Sequence, residues 1–143
     1  MKTNVVICDI DGTLTIENHA LRNPFDWARV SIDSPNPPIV YLVNSFIDAG
    51  IEIVFVTGRS EECREDTLTW LADHLWLKRE NIELYMRSKD DYRKGHEVKR
   101  DIYRENIEGK CTILFSLEDK PSLVEMWCDL GLMCLQVNEG EDV

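Results

Sequence analysis

No apolar run in the 143-residue chain approaches the roughly 20 residues needed to cross a bilayer, so no membrane partner is expected. Positive charge is scarce. Sixteen lysines and arginines stand against 27 aspartates and glutamates, a formal net charge of −11, which argues against broad, nonspecific binding to nucleic acid. The cysteines (Cys8, Cys63, Cys111, Cys128 and Cys134) are odd in number and lack C-x-x-C spacing. They read as reduced core residues of a cytoplasmic protein. His19, His74 and His96 show no metal-ligand spacing and read as surface or loop residues. Repeats, low-complexity tracts and linkers are missing, so residues 1–143 are expected to form one domain around one core. The N-terminus enters a strand almost at once, which argues against a signal peptide.

What is present is an alternation of strand and helix. Apolar runs at 4–8, 51–56, 82–86, 112–117 and 133–137 predict five strands. Helices are expected from Pro37 or Pro38 to a stop at Gly50, from Ser60 as N-cap through Leu75, over 97–105, and from Pro121 to a stop at Gly131. Near-continuous apolar strands separated by helices predict a parallel sheet covered on both faces, an α/β three-layer sandwich. In such sheets ligands bind beyond the carboxyl ends of the strands. The polar punctuation falls there: Asp9 and Asp11, then Thr57-Gly58-Arg59, then Glu118-Asp119.

The sharpest signal is Val5-Val6-Ile7-Cys8-Asp9-Ile10-Asp11-Gly12-Thr13, a buried strand that delivers two carboxylates into one loop. Two like charges leaving a core together cost stability. A hard divalent cation such as Mg²⁺ would offset that cost. A second signal is local: Arg87, Lys89, Arg93, Lys94, Lys99, Arg100 and Arg104 lie close in sequence. They read either as a solvated face or as a basic rim for a phosphorylated ligand. Trp70, Trp76 and Trp127 read as packing. Phe25 and Trp27 lie in an irregular segment, where they either line an entrance or pack the segment down.

Together these motifs resemble the haloacid dehalogenase (HAD) superfamily of phosphohydrolases. Asp9-Ile10-Asp11-Gly12-Thr13-Leu14-Thr15 is similar to its first motif, Val54-Phe55-Val56-Thr57-Gly58-Arg59 to its second, Lys99 to its third, and Glu118-Asp119 to its acidic fourth. Stretches around Leu84–Arg87, Val98-Lys99 and Glu118–Trp127, and the ending Gly131–Val137, further resemble the 3′-phosphatase domain of bacteriophage polynucleotide kinase. The GxxxxGK[ST] loop of a kinase half is absent.

The resemblance implies a Rossmann-like fold with a central, mostly parallel five-stranded sheet and a minimal cap at about 14–36. It implies Asp9 as nucleophile, Asp11 as general acid and base, and Thr57 and Lys99 as phosphoryl-binding groups. Gly12, Thr13 and Gly58 would contact substrate; Arg59 reads either as a phosphate or substrate contact or as a salt bridge to a helix, and Arg87, which follows strand three at the same edge, as a substrate contact. Mg²⁺ would be held by Asp9, by Asp11 through its backbone carbonyl, and by Glu118 or Asp119. Glu118 stands where an Asp is usual, which weakens its metal assignment by one methylene. Substrates follow in order: a nucleic-acid 3′-phosphate end, which suits a lidless site, then a free nucleotide or other small ester with a homo-oligomer supplying the lid. A non-catalytic phosphate-recognition module is the reading of another class. The setting implied is the cytoplasm, or a host cytoplasm for a phage-encoded protein.

Overall fold

The computed structural model describes residues 3–142. The chain runs β1 (Asn4–Cys8), β2 (Thr15–Ile16), β3 (Ser34–Pro35), α1 (Pro37–Asp48), β4 (Glu52–Ser60), α2 (Arg64–His74), β5 (Glu83–Arg87), α3 (Gly95–Asn106), β6 (Thr112–Glu118), α4 (Pro121–Asp129) and β7 (Cys134–Gln136). Five strands form one sheet in the order β5-β4-β1-β6-β7, and every pairing in it is parallel. The sheet is thus wholly parallel where a mostly parallel one was expected. β1, which Asp9 directly follows, lies at its centre.

Alternation along β1 builds two cores. Val6 and Cys8 face one side, with Phe55, Val43 and Trp70. Val5 and Ile7 face the other, with Val98, Ile102 and Trp127. Helices α1 and α2 cover the first side, and α3 and α4 the second. Each helix has a local cause. α1 begins on two prolines whose fixed φ suits a first turn. It is released at Gly50, whose φ of +83° a side chain would disfavour. On α3 the pairs Val98/Ile102 and Lys99/Tyr103 bury at i, i+4 spacing, so the lysine is carried inward by an otherwise apolar face.

Three elements differ from the sequence expectation. β4 continues through Thr57, Gly58 and Arg59 to Ser60, which pairs with Arg87. The backbone stays extended there because Arg87 Nε donates to the Gly58 carbonyl (2.8 Å) and the Arg59 side chain turns inward. Ser60 does accept a capping bond from Glu62 N–H (3.3 Å), but what it caps is a short 3-10 turn over Glu61–Cys63 that precedes α2. The irregular segment after β1 contains an antiparallel pair, β2 with β3, and a 3-10 stretch over Trp27–Ile32.

Trp76 is 68% exposed, against its reading as packing. It follows the end of α2, where Asn44 accepts its backbone N–H and the ring is left outside. Cys8 and Cys63 are buried, but Cys128 is exposed, and among the described residues the cysteines form no disulfide. No helix among those residues is long and apolar enough to cross a membrane.

Candidate active site

The carboxyl ends of β1, β4 and β6 converge. Asp9, only 5% exposed, is held from two sides: Lys99 Nζ donates to its Oδ1 (2.8 Å) and the Thr13 hydroxyl to its Oδ2 (3.0 Å). Lys99 also donates to Glu118 Oε1 (2.6 Å). Burial works against the Lys99 charge, but Asp9 and Glu118 outweigh it and hold the ammonium above its ordinary value. Glu118 Oε1 is fixed further by the indole N–H of Trp127 (3.1 Å). Trp127 is therefore both core packing and a brace, a role its sequence position gave no reason to expect.

Asp9, Glu118 and Asp119 each bring a carboxylate oxygen within 4.8 Å of the others. Two buried oxygens there, Glu118 Oε2 and Asp119 Oδ1, have no hydrogen-bond partner. Burial, then the neighbouring Asp9 charge, push both acids above the usual carboxylate range. Converging acids with unsatisfied oxygens, and a single ammonium between two of them, fit a small hard cation. Both Glu118 and Asp119 belong to the cluster. The Asp11 side chain does not.

Asp119 is also enclosed by backbone. A Cβ on Gly12, whose φ is +80°, would stand 2.0 Å from Asp119 Oδ2, and one on Gly140 would stand 2.2 Å from it. Gly12 was expected from the sequence. Gly140 lies in a polar tail with no periodicity to mark it, and its N–H also donates to the Asp119 carbonyl (3.1 Å).

Asp11 points elsewhere. Arg59 grips it as a fork, Nη2 to Oδ1 (2.8 Å) and Nε to Oδ2 (3.0 Å), and Arg22 Nη2 adds a third bond (3.3 Å). Asp33 joins both arginines at 2.8–2.9 Å. Burial alone would raise the Asp11 pKa; Arg59 and then Arg22 outweigh it, so the carboxyl titrates below its ordinary value. Arg59 is 1% exposed and its fourth bond goes to Thr67. The structure thus places this expected substrate contact beneath Asp11. Arg87 is similarly occupied, holding the carbonyls of Gly58, Asp91 and Arg93. Arg22 and Asp33 were not anticipated; they stand 11 residues apart in an irregular segment without a local pattern.

Replacing Arg59 by Lys keeps the charge and loses the fork. We expect a loss of about 1–2 kcal/mol in stability and a shift of the Asp11 titration to higher pH. The sign follows from linkage. A depressed native pKa stabilises above the unfolded value, about 3.9, and that gain disappears as pH falls through the native one. The variant should therefore lose little further stability on acidification. Melting curves and pH titrations check both.

Asp9, Asp11, Gly58, Arg59, Arg87 and Lys99 are among the residues that line a cavity of about 880 Å³, whereas Glu118 and Asp119 lie behind Asp9 and do not line it. Thr57 is buried, its hydroxyl accepting the Arg59 N–H (3.2 Å), and Thr13 is spent on Asp9. The expected basic rim is partial. Arg87, Arg93, Lys94 and Lys99 line the cavity, whereas Lys89, Arg100 and Arg104 do not. Lys120, unanticipated, does line it, and its Nζ donates to Glu17 (3.0 Å).

Residues 3–141 match the family described as the polynucleotide kinase PNKP phosphatase domain. The chain belongs to that HAD-type phosphatase family. Over 131 residues it is 33% identical to a protein of Autographa californica nuclear polyhedrosis virus named as a bifunctional polynucleotide kinase/RNA ligase; the alignment covers 89% of this chain and 18% of that one. Two solved structures of Pnkp1/Rnl/Hen1 complexes, one titled an RNA repair complex, superpose with TM-scores of 0.88 and 0.87 at 34% and 33% identity. They cover 97% of this chain but only 43% and 47% of theirs. The chain thus spans less than half the length of these relatives. A class C acid phosphatase from Bacillus anthracis shares the fold at a TM-score of 0.62 and 14% identity, over 98% of this chain and 69% of its own. The chain is a phosphatase domain of the PNKP type.

Proposed function

We propose that the chain is a Mg²⁺-dependent phosphomonoesterase that removes 3′-phosphates from nucleic-acid ends, with residues 1–143 as one domain and 14–36 as its cap. The observation that carries this is Asp9, oriented by Lys99 and Thr13 at the floor of an open cavity beside two acids with unpartnered oxygens. Asp9 attacks phosphorus as the bond to the 3′-oxygen breaks, giving an aspartyl-phosphate. Asp11 gives its proton to the departing oxygen, then takes one from the water that attacks phosphorus and frees Asp9. The Arg59–Arg22 clamp holds Asp11 below its ordinary value, so for the first step Asp11 must take up a proton from solvent against the pull of two guanidiniums. Lys99 neutralises charge on Asp9 and on the phosphoryl oxygens. Mg²⁺ held by Asp9, Asp119 and Glu118 would offset the repulsion between the nucleophile and an anionic ester. The names of the relatives support a polynucleotide end as substrate.

A second reading keeps the chemistry and changes the substrate to a free nucleotide or another small ester. The cavity volume supports it, since about 300–1,000 Å³ is the range for small-molecule sites. A purely recognising module would need neither the acid nor its clamp.

Phosphate release is measured with Mg²⁺ from a 3′-phosphorylated oligonucleotide, its 5′-phosphorylated twin, 3′- and 5′-mononucleotides and a sugar phosphate, with Asp9→Asn as blank. Preference for the 3′-phosphorylated oligonucleotide is expected. Preference for mononucleotides would favour the second reading, and release from none would leave recognition without catalysis. Mg²⁺ should also raise the melting temperature, a readout independent of turnover.

A further inference from the structure

Three large aromatic side chains face the cavity without being needed by the chemistry. Phe25 is 65% exposed and Tyr92 88% exposed, and half-buried Trp27 meets Phe25 edge to face at 6.2 Å between ring centres. All three line the same cavity as Asp9. Phe25 and Trp27 stand in the segment after β2, and Tyr92 stands in the loop between β5 and α3. Exposed rings of this size are a cost unless something covers them.

Both loops are built on the site by an arginine. Arg22, which reaches Asp11 with one nitrogen, donates with another to the carbonyls of Asn23, Pro24 and Asp26 (3.3–3.4 Å), the turn that carries Phe25. Arg87, which holds the Gly58 carbonyl, also holds those of Asp91 and Arg93, on either side of Tyr92. The rings are therefore presented by turns tied to the catalytic floor. A mobile loop tip would offer no such fixed face.

We propose that Phe25 with Trp27, from one loop, and Tyr92, from another, form an aromatic clamp, a stacking site that takes the terminal base of an unpaired 3′ end while its phosphate lies at Asp9. This rests on the reading of the substrate as a nucleic-acid end. Flat π-faces suit any base, so the clamp selects for the presence of a base and not for its identity. A base stacked on a protein ring has left its duplex stack, so the clamp takes single-stranded or frayed ends. The cavity offers few free cations, which makes stacking the main handle on the nucleoside.

The test compares two single-stranded oligonucleotides of equal length. One ends in an ordinary nucleoside 3′-phosphate, the other in an abasic sugar 3′-phosphate. For the unmodified protein the abasic end should have a KM about tenfold higher, with kcat little changed. Phe25→Ala and Tyr92→Ala should each raise KM for the ordinary end several-fold and leave the abasic end unaffected. Tyr92→Phe should behave as the parent protein. Both residues are exposed, so melting temperatures should not move. Equal KM for the two ends in the unmodified protein, or variants that impair both ends alike, would overturn the clamp while leaving the phosphatase reading intact. Turnover of small esters with neither oligonucleotide cleaved would remove both.

Discussion

Asp9→Asn is expected to lower phosphate release by at least about 10⁴-fold, as removal of a nucleophile does elsewhere, without unfolding the protein. Asn fills the same volume and its amide can keep a partner in Thr13, which now bonds Asp9 Oδ2. The change also removes one negative charge from a cluster in which burial and Asp9 together push up Glu118 and Asp119. Lys99 retains Glu118 as partner. The melting temperature measured without divalent cations should therefore stay level or rise, while the stabilisation gained on adding Mg²⁺ shrinks. Activity and stability moving in opposite directions is the signature of a site built for chemistry at the expense of the fold. Turnover at the unmodified rate would remove Asp9 from the nucleophile role.

Lys99→Met should produce the largest loss of stability from a single side chain. The methionine keeps much of the aliphatic stem, so the cavity term is small. What remains is two buried carboxylates without their shared cation. Breaking one member out of a buried ion cluster typically costs about 3–5 kcal/mol, or a fall of about 10–17 °C in melting temperature for a chain of this size. The deficit should depend on pH in a defined direction. Unpaired, Glu118 binds its proton more tightly folded than unfolded, so the variant is penalised most at neutral and alkaline pH and recovers as the pH falls. Mg²⁺ should restore part of the loss, since a cation then replaces the ammonium. A deficit equal at pH 5 and pH 8, and indifferent to Mg²⁺, would mean that Lys99 contributes only packing.

The sheet was legible in the sequence because its central strands β1 and β4 are buried on both faces and so read as unbroken apolar runs, from Val5 to Cys8 and from Ile53 to Val56. The position of Asp9, Asp11 and the Glu118-Asp119 pair followed from the ends of those runs. Lys99 was legible as a motif, yet its burial depends on α3 carrying it inward. The Asp11 clamp was not legible. Asp11, Arg22, Asp33 and Arg59 meet over separations of 11 to 48 residues, and ion pairs at such distances leave no period in a sequence. Glu17 and Lys120, 103 residues apart, meet in the same way. Arg59 and Arg87 were recognised as charges near the site, but which partner takes a guanidinium is decided by packing. Gly140 was invisible because only the position of Asp119 makes a glycine necessary there.

The central placement of β1 has a practical meaning. Asp9 hangs from the strand flanked on both sides by others, whereas the rings at the cavity mouth hang from connecting turns. Engineers could exchange the segment between β2 and β3, or the one before α3, and redirect the protein to new esters. The floor of the site would pass through such grafts unaltered, provided that Arg22 and Asp33, which anchor Arg59 from the first segment, and Arg87 are kept.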